Sequence, residues 1–186
     1  MQQATMEQLA DATGEMGRLI AGIRQEQWSG PTPCADWDVR ALVSHVVQGS
    51  ARFAVALGGE PQATTADPTA AGFERNAAVL LAAAGRPDAA SRIVEVPFGR
   101  VPGAVALHLQ LTELLVHGWD LAVATGGRAG FSDQLAAQEL EFTLGALASV
   151  PPDRQPFAPP QPVRDDAPTL DRLAATLGRR IDAPPS

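Results

Sequence analysis

Residues 102–127 read PGAVALHLQLTELLVHGWDLAVATGG. A proline at the first turn and a glycine pair past the end are the start and stop signals of an α-helix, predicted here from Pro102 to about Thr125. Its apolar residues form no single stripe but surround most of the cylinder. Such a helix belongs in the middle of a bundle, and the polar groups along it must find partners or a ligand there. A membrane span is excluded, because His108, Glu113 and His117 interrupt the roughly 18 apolar residues that one requires.

The flanking segments supply the rest of a helical fold. Met6, Leu9, Thr13, Met16, Ile20 and Ile23 recur at alternating spacings of three and four, the seam of a bundle helix. The loop from Gln27 to Cys34 ends it. A second helix is predicted from about Trp37 to Leu57, with Asp36 as its cap, Asp38 in its first turn and a buried stripe of Val39, Leu42, Val46, Gly49 and Phe53. Gly58-Gly59 and Pro61 stop it, and a third helix follows from Thr69 to Ala84. The period then changes: Arg92 to Val96 alternates in the β manner and Pro97-Phe98-Gly99 turns the chain, giving a short extended segment across the bundle. After the apolar helix, Ser132 caps a fifth helix that runs to about Ser149. Val150 to Pro162 is proline-rich and extended, and Leu170, Leu173 and Leu177 lie on one face of a last short helix stopped by Gly178. The expectation is one domain over residues 1–186, with the bundle in 1–150 and a helical extension in 151–186.

Composition narrows the chemistry. All fourteen basic residues are Arg, and 21 acidic ones leave a formal net charge of −7, which speaks against a nucleic-acid binder. The first thirty residues carry Glu7, Asp11, Glu15, Arg18 and Arg24, with no apolar signal core, so the chain reads as cytoplasmic. A single cysteine allows neither an intrachain disulfide nor a thiolate-rich zinc site. Any metal site must use His and carboxylates.

Glu113 and His117 stand one turn apart on the same face of the apolar helix and can reach a common ion. Gln110 and Asp120 fall near that face, whereas His108, nine positions before His117, points to the opposite side. His108 reads as a surface or core-edge residue. His45, in mid-helix beside an interior stripe, is the remaining candidate. Two His and one carboxylate form the ligand set of a catalytic zinc site with an open fourth position, and also suit non-haem iron or nickel. The same Glu-x-x-x-His spacing serves ordinary salt bridges; what favours a ligand role is that an unpaired carboxylate on so apolar a helix would cost several kcal/mol. Arg52, two turns beyond His45 on its face, is placed to meet an anionic ligand, or else is a solvated charge. Trp119 and Trp37 line a ligand pocket or fill the core. Cys34 is a nucleophile, a fourth ligand or a small buried hydrophobe.

Three stretches in combination, TPCADWDVRALVSHVV around His45, LTELLVHGWDLA from Leu111 and LDRLAATLGRR from Leu170, resemble actinobacterial metal-binding proteins related to the N-terminal domain of mycothiol-dependent maleylpyruvate isomerase, within the DinB-like superfamily. The resemblance implies a DinB-like four-helix bundle holding a divalent ion, usually zinc, through a His of helix two and a Glu and His of the later helix. Those roles match His45, Glu113 and His117. It further implies a low-molecular-weight thiol, mycothiol, as cosubstrate, and an S-transferase or isomerase reaction with an electrophilic substrate; a monomer or a homodimer is expected. The alternative is a non-catalytic, metal-dependent ligand-binding or sensor protein.

Overall fold

The computed structural model describes residues 3–34, 37–96, 99–150 and 157–181. Among them are six α-helices and one β-hairpin: α1 (Met6–Ala21), α2 (Val39–Ala56), α3 (Ala70–Ala84), β1 (Ile93–Val96), β2 (Gly99–Pro102), α4 (Gly103–Thr125), α5 (Asp133–Ala148) and α6 (Thr169–Thr176). Local chemistry accounts for most of their ends. Thr5 and Gln8 form a reciprocal capping box at the start of α1, and Thr69 and Ser132 accept backbone N–H groups at the starts of α3 and α5. At the end of α4, Gly126 takes a left-handed conformation with φ of 70°.

The first four helices pack in the cyclic order α1, α3, α2, α4, so that α4 borders both α1 and α2. On its outer side α4 is covered by α5 and α6, which also pack on each other, and both strands touch it. This enclosure is what the amino acids of α4 require. Leu111, Leu114, Leu115, Val116 and Leu121 are at most 1% exposed, and burial extends to His108, Gln110, Thr112, His117 and Asp120 on the same helix. The architecture is an all-α, DinB-like bundle with a C-terminal helical layer. No described helix is long and apolar enough to cross a membrane.

Several expectations need correction. Asp38, not a residue of the first turn, is the N-cap of α2, its carboxylate accepting from the Ala41 N–H; Asp36 lies outside the described residues. Pro102 is not inside α4 but ends β2, paired with Ile93. The extended segment is one arm of an antiparallel hairpin, Val94 facing Val101 and Val96 facing Gly99. The second arm, Gly-Arg-Val-Pro, carries too little β signal to be read locally, and the turn at Pro97 and Phe98 lies outside the described residues. So do residues 151–156 of the proline-rich stretch; 157–162 form neither helix nor strand.

Because α4 is buried along most of its length, its apolar residues are expected to carry much of the stability. Leu111→Ala should destabilise the protein by about 2–5 kcal/mol in urea unfolding, through lost burial and the cavity left behind. Val123→Ala, at a position 51% exposed on the same helix, should stay within about 0.5 kcal/mol.

Candidate metal centre

The segment before α2 holds the first wall of the site. Gly30 and Trp28 carbonyls accept the Val39 and Arg40 N–H groups, and the Thr32 hydroxyl donates to the Trp37 carbonyl at 2.8 Å. The chain thus folds back on itself and presents the Trp37 ring over the middle of α2. Its ring centre lies 4.5 Å from that of His45 and 5.9 Å from that of His117. Trp37 therefore lines the centre as an apolar cover on two imidazoles.

The packing of α2 on α4 brings His45 to Glu113 and His117. One carboxylate oxygen, Glu113 Oε2, stands 3.1 Å from His45 Nε2 and 3.3 Å from His117 Nε2. The three ligand atoms all lie within 4.8 Å of one another. Tetrahedral ligands about 2.0–2.1 Å from a zinc ion are roughly 3.3 Å apart, so the two contacts to Glu113 have the length of edges of such a polyhedron. Without an ion the same contacts are hydrogen bonds. The site is buried on one side and open on the other: the His117 side chain is 5% exposed, those of Glu113 and His45 21% and 28%. An entering group can therefore reach the carboxylate and His45.

Behind His117 lies a second layer. His117 Nδ1 is 3.0 Å from Asp120 Oδ2 and Nε2 is 3.3 Å from Glu113 Oε2, and a carboxylate can only accept, so without an ion both ring nitrogens carry protons, while an ion at Nε2 would leave the proton on Nδ1. A carboxylate on the far nitrogen of a ligating histidine is the recurrent outer partner of metal sites. Asp120 is itself held by Arg179, whose Nη2–H donates to Oδ2 at 2.8 Å and Nε–H to Oδ1 at 3.1 Å. Burial alone would raise the Asp120 carboxyl, but His117 and Arg179 hold it below its ordinary range. Glu113 behaves likewise: burial opposes its charge, and hydrogen bonds from His117 and His45 outweigh that and keep it ionised. His117 is pushed up to about 8, burial being outweighed by Asp120 and Glu113.

The comparisons with known proteins agree with this architecture. The family model described as mycothiol maleylpyruvate isomerase N-terminal domain matches residues 9–122, more than half of the chain. The chain belongs to the mycothiol maleylpyruvate isomerase N-terminal domain family. Two Mycobacterium tuberculosis proteins, the uncharacterized protein MT0763 of strain CDC 1551 / Oshkosh and the uncharacterized protein Rv0738 of strain ATCC 25618 / H37Rv, are each 37% identical over 169 residues, covering 88% of this chain and 91% of theirs. No solved structure gives a significant match. The family match contains His45, Glu113, His117 and Asp120; Arg179 lies beyond it.

The other residues singled out in the sequence are outside the three-residue ligand cluster. Trp119 is 8% exposed and its indole N–H donates to Asp171 Oδ1 at 2.7 Å, so this ring pins α6 to α4. Arg52 is exposed and lines a surface groove with Phe53, Thr64, Glu95 and Val96. Cys34 is half-buried with Sγ 3.9 Å from Arg179 Nη2, and is not part of the ligand cluster. His108 is corrected from a surface or core-edge residue to a fully enclosed one: it points away from His117, as helical geometry requires, but α5 covers that side. There its Nδ1 lies 2.8 Å from Glu139 Oε1 and its ring stacks on Phe142. Arg179 stands in the LDRLAATLGRR stretch quoted for the family resemblance, but nothing in that stretch assigns it a role. Its only local signal is an Arg immediately after the helix-stopping Gly178.

In chelator-treated protein His117 should make stability depend on pH. Its folded-state pKa of about 8 stands above the ordinary 6.5, so the stabilisation is complete below 6.5 and is lost as pH rises through about 8. The loss is on the order of 2 kcal/mol. Urea unfolding between pH 6 and 9 should show this decline, and His117→Gln should flatten it; an equal slope in the variant counts against the assignment.

Proposed function

We propose that His45, Glu113 and His117 hold one divalent ion, zinc in the first place with nickel or iron(II) as alternatives, and that the protein uses it in a mycothiol-dependent S-transfer or isomerisation. The observation that carries this reading is the convergence of two imidazole Nε2 atoms on one carboxylate oxygen, with the rear nitrogen of His117 fixed by a buried carboxylate. Two His and one carboxylate leave a coordination position open, the pattern of catalytic rather than structural sites. Membership of the family adds the thiol as the expected cosubstrate.

When bound, the ion supplies a Lewis acid beside which a thiol, with a pKa of about 8.5 in free cysteine, is ionised at neutral pH. The protein's own groups prepare that position. One ligand carboxylate against a divalent charge leaves the centre net positive, which favours an entering anion. Asp120 holds the Nδ1 proton of His117, so that the proton given up when His117 ligates is the one on Nε2. Trp37 covers both imidazoles and excludes water from one side, which strengthens electrostatic interactions across the site. The exposed edge formed by Glu113 and His45 is where thiol and electrophile would enter. The thiolate would add to one carbon of an enone as the C=C π pair moves to the carbonyl oxygen; protonation of that enolate gives the released S-adduct, whereas rotation about the former double bond and expulsion of the thiolate as the C=C bond re-forms gives the isomer. The thiol in this reading comes from the cosubstrate, since Cys34 is outside the ligand cluster, with its Sγ 3.9 Å from Arg179 Nη2.

Protein purified without chelator should contain about one equivalent of metal by elemental analysis, while His45→Ala and His117→Ala should contain little. Equal content in all three would overturn the metal assignment. Chelation should lower the melting temperature moderately, as expected for an open site. Metal-loaded protein mixed with mycothiol and a panel of electrophiles should turn over in a metal-dependent way; metal binding with no thiol binding would favour the ligand-sensing alternative.

A further inference from the structure

The C-terminal segment meets α4 directly behind the candidate metal centre. Helix α6 is short, but its Leu173 and Ala174 and the capping Leu177 are buried, and the Trp119 to Asp171 hydrogen bond ties its first turn to α4. At its end the Gly178 N–H donates to the Ala175 carbonyl and the Arg179 N–H to that of Ala174. Gly178 has φ of +87°, and a Cβ there would lie 2.6 Å from the Cβ of Ala158. Both the left-handed turn and the close approach of the preceding segment require glycine at this position. The turn sends the next side chain back into the protein.

That side chain is Arg179, 7% exposed, against Asp120, 0% exposed. The guanidinium grips both carboxylate oxygens, while a third donor, Nη1–H, is held by the Leu177 carbonyl at 2.8 Å. Two parallel hydrogen bonds from a planar fork fix the plane of the carboxylate as well as balancing its charge. The oxygen that receives Nη2–H at 2.8 Å is the same Oδ2 that receives His117 Nδ1–H at 3.0 Å. The orientation of Arg179 is thereby transmitted through one oxygen to an imidazole ring of the centre. We propose that Arg179 is a positioning residue of the metal centre, aligning Asp120 so that His117 presents Nε2 to the ion, and that the C-terminal helix is therefore a working part of the site and not only a cover on α4.

This inference rests on the metal reading above, and the experiment separates the two. Zinc affinity is measured by chelator competition, and the visible spectrum is recorded after cobalt(II) replacement, for the full-length protein and the variants Arg179→Met, Arg179→Lys, Asp120→Asn, Asp120→Asn with Arg179→Met, and Asp171→Ala. Loss of an outer partner of a ligating histidine typically weakens metal binding about 10–100-fold. Arg179→Met and Asp120→Asn should each show such a loss with an altered cobalt spectrum. The double variant should be no weaker than the weaker single one, since both act along one path. Arg179→Lys, which keeps the charge and loses the fork, should fall between. Asp171→Ala should melt earlier yet bind zinc within about twofold of the parent, which separates positioning from mere docking of α6.

If Arg179→Met fails to fold around an unbalanced Asp120, the double variant removes both buried charges together and carries the same expected zinc loss. Parent-like affinity and an unchanged cobalt spectrum in the Arg179 variants, with a parent that binds zinc, would overturn the positioning role alone. A parent that binds no zinc would overturn the metal reading. In that case nuclear magnetic resonance of the metal-free protein still judges the positioning: the slowly exchanging Nδ1 proton of His117 should be visible in the parent, exchange faster in Arg179→Lys and be lost in the double variant. Its unchanged persistence in both would count against it.

Discussion

The structure is organised around ionisable groups carried by a helix that has no polar face. Glu113, His117 and Asp120 stand on α4, which is enclosed by the rest of the molecule. A buried charge is tolerable only when paired and hydrogen-bonded, so each group imposes a demand on a distant element. Glu113 is met by His45 from α2, and Asp120 by Arg179 from beyond α6. The crossing of α2 over α4 and the return of the C-terminal segment onto α4 are thus linked to the same few side chains. Leu111, Leu114 and Leu115 are buried along the same helix, and the polar pairs tie it to α2 and to the C-terminal segment.

The two sides of α4 are treated differently. On the side of His117 the polar cluster opens toward solvent at Glu113 and His45. On the side of His108 it is closed: Glu139 accepts from the Thr112 hydroxyl at 3.2 Å and from the Gln138 amide at 3.1 Å, and Gln138 in turn meets Gln8. Both clusters place a histidine beside a glutamate. Only one leaves an edge accessible and brings a second imidazole to the same oxygen, and that difference marks it as the chemical site.

Much of the bundle was legible in the sequence because helix signals are local. Alternating threes and fours gave α1, and Ser132, Gly126 and Gly178 marked boundaries that the structure keeps. The hairpin was half legible, since β1 alternates whereas Gly99 and Pro102 in β2 hide a strand whose pairing is made with another segment. His108 was assigned the correct direction but the wrong environment. A helix fixes the angle between His108 and His117, while what covers each side depends on where α5 comes to rest.

The sequence by itself determined that α4 is a central apolar helix carrying Glu113 and His117 one turn apart, because spacing along a helix is set by backbone geometry. It also nominated His45, through its place beside an interior stripe. Tertiary structure alone decided that His45 and Glu113, 68 positions apart, meet at 3.1 Å, that Trp37 and not Trp119 covers the imidazoles, and that Arg179 reaches Asp120 across 59 positions. Such contacts depend on how helices cross and where a chain returns. Those are properties of side-chain packing between elements, which no periodicity within one element encodes.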